Sequence, residues 1–243
     1  MNPLCTIKIK NDKMNSNRQR TIIAGALYFV GTIAGILSIV PAVDASDYLI
    51  KASANSNQVL FGALFQLIMT TANVGFAITL YPILRKYKES LALGFLSFRI
   101  IAAVLNSIGF IILLMLLSLS QEFVREGTPD SPYFQTLGDL LRSGRDFVNH
   151  IAMILTLSVG SLMFYFLLYL TKLIPRWLSL WGLLSTIFTV LASLLVMFHI
   201  LDIITASYIV LNLPLIILEM VLAIWFIAKG FDSNILRSVT EKE

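Results

Sequence analysis

The sequence predicts an all-α fold: a polytopic helical membrane bundle of six transmembrane helices with both termini in the cytoplasm. Three observations predict it. Of the 243 residues, 57% are apolar and only 13% charged, against about 45–50% and about 25% in a soluble domain. Six apolar stretches are each long enough to cross a bilayer. The basic residues gather in alternate connections. A mean hydropathy of +0.83 excludes disorder, a nucleic-acid module and an ordinary soluble enzyme, despite the net charge of +4 and the pI of 9.2.

A bilayer core about 30 Å thick takes roughly 20 helical residues. The stretches that meet this are about 22–40, 59–84, 91–119, 147–170, 177–201 and 208–228. None alternates as the strands of a barrel do. Residues 1–20 are expected to be a disordered basic tail, 21–231 one membrane domain and 232–243 a second tail. Five basic residues before the first span, and Val43-Asp44-Ala45 after it, suggest a cleaved signal. The apolar run exceeds the 7–15 residues of a signal, and Gly25, Gly31 and Gly35 suit packing in a bundle. A retained helix is therefore expected. Met14 is a second candidate start, and Cys5, the single cysteine, has no partner for a disulfide.

Loop charge sets the orientation. Lys8, Lys10, Lys13, Arg18 and Arg20, then Arg85, Lys86 and Lys88, then Lys172 and Arg176, then Lys229, Arg237 and Lys242 fall on one side. The other side has Lys51, Arg125, Arg142 and Arg145 against eight acids. The positive-inside rule puts the first side in the cytoplasm. Trp177, Trp181, Trp225, Tyr81, Tyr87 and Tyr169 would then form an aromatic belt at the inner interface. Two outer segments, 41–58 and 120–146, lie outside the spans; Tyr133, Phe134, Leu137, Leu140 and Leu141 give the second an amphipathic helix. The preferred reading is a connector resting on lipid headgroups, the other a cap or lid.

Polar side chains inside a span need partners or water. Arg99, Glu219 and Asn73 each lie about 15–16 Å from the cytoplasmic ends of their helices. Seven residues from each lies an amide, Asn106, Asn212 and Gln66 respectively. Two helical turns keep each pair on one face, so two polar layers are expected between the second, third and sixth spans. Pro214 lies between them and removes a backbone donor. The structural reading is an Arg99–Glu219 ion pair buttressed by amides. The functional reading is a chamber for a small ligand, an ion or a proton.

The two histidines form a weaker set at the outer face. Asp146 precedes His150 by four residues and His199 precedes Asp202 by three, so all four are weak candidates for a shared metal or for acid–base work. No HExxH, GxSxG, phosphate loop, dinucleotide fingerprint or CxxC is present. Ser179, Ser185 and Ser193 have no histidine at their depth. No cofactor is expected.

Several stretches carry a family resemblance. They are Leu80-Tyr81-Pro82-Ile83-Leu84, Phe98-Arg99, Phe164-Tyr165-Phe166-Leu167-Leu168-Tyr169, Leu173-Ile174-Pro175-Arg176-Trp177-Leu178-Ser179 and Trp181-Gly182. To these add Leu211-Asn212-Leu213-Pro214, Glu219-Met220, Leu222-Ala223-Ile224-Trp225 and Lys229-Gly230-Phe231. Over roughly 18–232 the chain resembles the bacterial membrane family catalogued as domain of unknown function 4386. The resemblance implies a bacterial plasma-membrane protein of about six helices and brings no activity, substrate or cofactor. Arg99 and Glu219 fall on its motif positions. Where members often carry an acid three residues after the arginine, this chain has Ala102, which leaves Arg99 more dependent on Glu219.

The leading reading is a non-enzymatic protein whose polar layer binds or moves a small ligand, or organises the bundle. The alternatives are a membrane enzyme acting on a lipid or envelope substrate at the outer face, and a structural or sensory partner of another membrane protein. Transport needs an open polar path, a scaffold only a closed pair, and the enzyme needs its four groups within metal-binding reach.

Overall fold

The computed structural model describes residues 3–128, 132–203 and 205–240, with side chains over 15–128, 132–203 and 205–236. Among them there are helices and connections but no strand. The helices are α1 (Pro3–Leu37), α2 (Pro41–Asp44), α3 (Tyr48–Ala54), α4 (Ser56–Leu84), α5 (Glu89–Arg125) and α6 (Pro132–Asp146). A π-helical turn (Phe147–Ala152) joins α6 to α7 (Met153–Thr171), followed by α8 (Arg176–Met197), α9 (Ala206–Ala228) and α10 (Ser233–Thr240). Six helical stretches have the length and apolarity to cross a membrane: Asn15–Leu37, Ser56–Leu84, Glu89–Arg125, Pro132–Thr171, Arg176–Met197 and Ala206–Ala228.

The spans close into a ring in the order α1, α4, α5, α7, α8, α9, each packing on its two neighbours. Outward positions are apolar and exposed, as at Phe61, Val104, Leu184 and Val210. So continuous an apolar exterior suits lipid and not water. Inward, the ring is filled by aromatics. Tyr28 stacks on Phe76 with ring centroids 4.3 Å apart, and Phe95 stacks on Phe164 at 4.6 Å. Phe76 meets Phe95 and Phe164 edge-on, at 5.8 and 5.6 Å. Each such pair contributes about 0.5–1.5 kcal/mol beyond its burial. One close approach depends on glycine: the Tyr165 ring lies in the space a Cβ at Gly182 would take, so α7 and α8 pack closely at that level.

The element bounds correct several expectations. Helix α1 runs through the expected tail. Arg18 donates to the carbonyls of Phe226, Ile227 and Ala228 at 2.8, 2.6 and 3.0 Å, since the end of a helix leaves its last carbonyls without intrahelical partners. That bond set also places the start of the bundle and the end of α9 at one face, called the terminal face below. The side chains of Cys5, Lys8, Lys10, Lys13, Met14 and Arg237 lie outside the description, as do Pro129, Asp130 and Lys242. The C-terminal segment expected as a tail includes α10, and Tyr87 Oη donates to Ile235 O at 3.3 Å.

At the opposite face the separate surface helix is replaced by a continuation. Helix α6 runs through the π turn into α7, because residues 132–171 are helical without a break. Its polar side packs on α2 and α3. Arg145 bonds Asp44 at 2.6 Å and Asp146 at 2.9 Å, and Arg142 donates to Asp44 O at 2.6 Å. Tyr48 Oη donates to Asp139 at 2.8 Å, and the Arg142 guanidinium lies 5.5 Å from the centroid of the Tyr48 ring. Burial and the Asp139 carboxylate together push the Tyr48 phenol well above its ordinary value, so it stays a donor. Beneath lies a small core of Val43, Tyr48, Leu49, Val59, Leu113, Leu116 and Phe134. The two outer segments thus form one cap.

Candidate functional site

The expected polar depth is occupied, though with different partners. Arg99 is only 2% exposed, and its Nη1 donates to Asn73 Oδ1 across the α4–α5 contact. Its guanidinium carbon lies 5.4, 5.5 and 5.7 Å from the ring centroids of Phe76, Phe95 and Tyr28. A desolvated cation over an aromatic face gains about 2 kcal/mol or more. Three rings and an amide therefore do for Arg99 what a carboxylate was expected to do.

Glu219 is held separately. Its Oε1 accepts from Tyr28 Oη at 3.1 Å and its Oε2 from Thr32 Oγ1 at 3.0 Å. Tyr28 and Thr32 are four apart on α1, so one face of that helix presents both hydroxyls. Tyr165 Oη lies 3.3 Å from Tyr28 Oη. A phenol has one proton; with Tyr28 donating to Glu219, Tyr165 is the donor to Tyr28. Tyr28 touches both groups, its ring beside the guanidinium and its hydroxyl on the carboxylate, and no Arg99–Glu219 ion pair forms. The cause is topological: α1 stands between α4 and α9 in the ring. The expectation that Ala102 throws Arg99 onto Glu219 is corrected for the same reason.

Thr32 carries a further property. Its hydroxyl lies 3.0 Å from Glu219 Oε2 and also 3.0 Å from Tyr28 O. One hydroxyl proton cannot serve both acceptors fully. With Glu219 ionised, Thr32 donates to the carboxylate. With Glu219 protonated at Oε2, the acid donates to Thr32 Oγ1 and Thr32 donates to Tyr28 O. Both protonation states are satisfied without moving a heavy atom.

The second layer forms only in part. Asn106 Nδ2 donates to Gln66 O at 3.2 Å and to Thr70 Oγ1 at 2.5 Å. Gln66 Oε1 and Arg99 Nε are buried without a partner. Asn212 stays within its own helix, donating to Tyr208 O at 2.9 Å; α9 does not pack on α4 or α5 closely enough to bring it in. Helix α9 continues through Pro214. Between the Arg99 level and the terminal face lie Phe76, Phe95, Phe164 and Phe226, all without solvent exposure. They form an aromatic floor beneath the polar groups.

The four outer candidates do not converge. Asp146 is taken by Arg145. His150 Nδ1 lies 3.0 Å from Tyr208 Oη. His199 is exposed, in a left-handed backbone conformation with φ of 57°, its ring 6.5 Å from that of Phe147. Asp202 is exposed at the turn before α9. Among the described residues no three His, Cys, Asp or Glu side chains gather as a metal set. A buried arginine competes for the carboxylate, and the end of α8 turns His199 outward.

Residue spacing alone did not mark Tyr28, Thr32 and Tyr165. Their signal was present as an i, i+4 hydroxyl pair in the first span and a tyrosine in the Phe164–Tyr169 stretch.

The model of the family described as Domain of unknown function (DUF4386) matches residues 23–230. No curated protein and no solved structure matches the chain.

Proposed function

Because the chain belongs to the family described as Domain of unknown function (DUF4386), whose description names no chemistry, we propose a function from the site itself. The protein is a non-enzymatic multi-pass protein of the bacterial plasma membrane, with both termini cytoplasmic, that takes up and releases a proton at Glu219 in the course of moving a small solute or ion. The excess of Lys and Arg at the terminal face supports the orientation. One observation carries the proton reading: Thr32 Oγ1 stands 3.0 Å from both Glu219 Oε2 and Tyr28 O, so the carboxyl is satisfied with or without its proton. The direct partners of Glu219 are neutral donors, and Arg99 bonds Asn73 and not the carboxylate, so no ion pair fixes its charge. The closed aromatic floor supports entry from the cap side.

The test uses the full chain in vesicles loaded with a pH-sensitive dye and subjected to an imposed pH gradient. Wild-type vesicles are expected to relax the gradient faster than empty ones, and Glu219→Gln vesicles to match the empty ones. Equal rates for wild type and a folded Glu219→Gln variant overturn the proposal.

A further inference from the structure

We propose a second site, distinct from Glu219: a basic recess at the terminal face that holds the phosphate of an anionic phospholipid headgroup. The recess, about 590 Å³, opens between the α7–α8 turn and the end of α9. Lys172, Arg176 and Lys229 line it against a single acid, Asp232. The Oδ1 of that acid accepts the backbone N–H of Asn234 at 2.8 Å at the start of α10. Among the described residues no carboxylate pairs with the three cations.

The walls are built. Asp232 N donates to Leu173 O at 3.0 Å and ties the two turns together. The backbone turns at Lys172 and Gly230 through positive φ, 59° and 72°. Arg176 is seated 5.2 Å from the Tyr169 ring centroid and Lys229 4.4 Å from that of Trp225. Aromatic seating fixes where the cations stand without neutralising them. Helix α8 begins at Arg176, so the positive end of its dipole adds to the same field.

Three cations without carboxylate partners lining one hollow call for an oxyanion with several acceptor oxygens, and phosphate fits that chemistry. The surroundings select the lipid source. Trp177, next to Arg176, is 55% exposed, and Ile224, next to Trp225, is 56% exposed. Both belong to the helices that border the recess, so acyl chains of a headgroup held there have exposed apolar side chains beside them, whereas a free phosphate would leave these unused. On the cytoplasmic orientation proposed above, the recess sits at the ends of spans α7, α8 and α9, facing the leaflet whose anionic headgroups such basic pockets recognise.

The experiment is native mass spectrometry of the full chain in neutral detergent with equal phosphatidylglycerol and phosphatidylcholine. Wild type is expected to retain phosphatidylglycerol preferentially, with each cation contributing about fivefold. The combined variant Lys172→Gln, Arg176→Gln, Lys229→Gln loses the preference while melting like wild type. Lys51→Gln, at the opposite face, keeps it. If the combined variant does not fold, the single Arg176→Gln and Lys229→Gln variants read out the same loss in part. No headgroup preference in wild type, or an unchanged preference in a folded variant, overturns the proposal. Retention of added inorganic phosphate with no lipid preference assigns the recess to a free anion and overturns the lipid source.

Discussion

At the scale of single residues, the two charges at mid-span, buried Arg99 and half-buried Glu219, are each stabilised by neutral groups. Arg99 has Asn73 and the rings of Tyr28, Phe76 and Phe95; Glu219 has Tyr28 and Thr32. Replacing Asn73 with Ala removes the acceptor and leaves a charged donor buried, at a cost of about 2 kcal/mol. Thermal unfolding in detergent should show that loss, with Asn73→Asp retaining more stability than Asn73→Ala. Exchanging the two charges, Arg99→Glu with Glu219→Arg, should fare no better than either single reversal, because the groups do not touch. Refolding yield of the three variants checks this. The depth of these residues was legible in the sequence, since a span has a fixed rise per residue. Their partners were not. Depth is a property of one helix, whereas partnership depends on the order of helices around the ring, which no spacing within a span encodes.

At the scale of elements, the spans were readable because apolar length is dictated by the bilayer. The ends were less so. Arg18 looks like tail in sequence, yet it is a cap for α9; α6 looks like a surface helix, yet it prolongs α7. The preferred expectation was a connector resting on lipid headgroups; the polar face of α6 meets Asp44, Tyr48 and the backbone of the α2–α3 connection. Arg145→Ala should therefore loosen the cap by about 3 kcal/mol, the scale for one partner lost from a mostly buried pair. Faster amide exchange in α3 and α6, with α8 unchanged, is the expected signature. Helix α10 offers a pH test. Burial, aided by Asp232, pushes the Tyr87 phenol up to about 12, against about 10 unfolded. The folded chain thus binds this proton more tightly, so its contribution is intact below about pH 10 and is lost as the pH rises through about 12. Tyr87→Phe should flatten alkaline unfolding in that window.

For the whole molecule, the ring has two unlike ends. One carries the cations, the tryptophans and the aromatic floor; the other carries the cap, with Asp44 and Asp146 paired to Arg145. In a Cys5→Ser background, Ser233→Cys should react with an impermeant maleimide only after the membrane is opened, and Glu126→Cys in intact cells. The reverse pattern would invert the proposed orientation. Proton exchange at Glu219 inside this ring is the central proposal, and infrared difference spectroscopy of the protein in bilayers measures it most directly. Stepping the pH from the cap side should produce a carboxyl band in wild type that is absent from Glu219→Gln and shifted in Thr32→Val. Identical difference spectra for wild type and a folded Glu219→Gln variant would contradict the account and leave the polar layer a structural one.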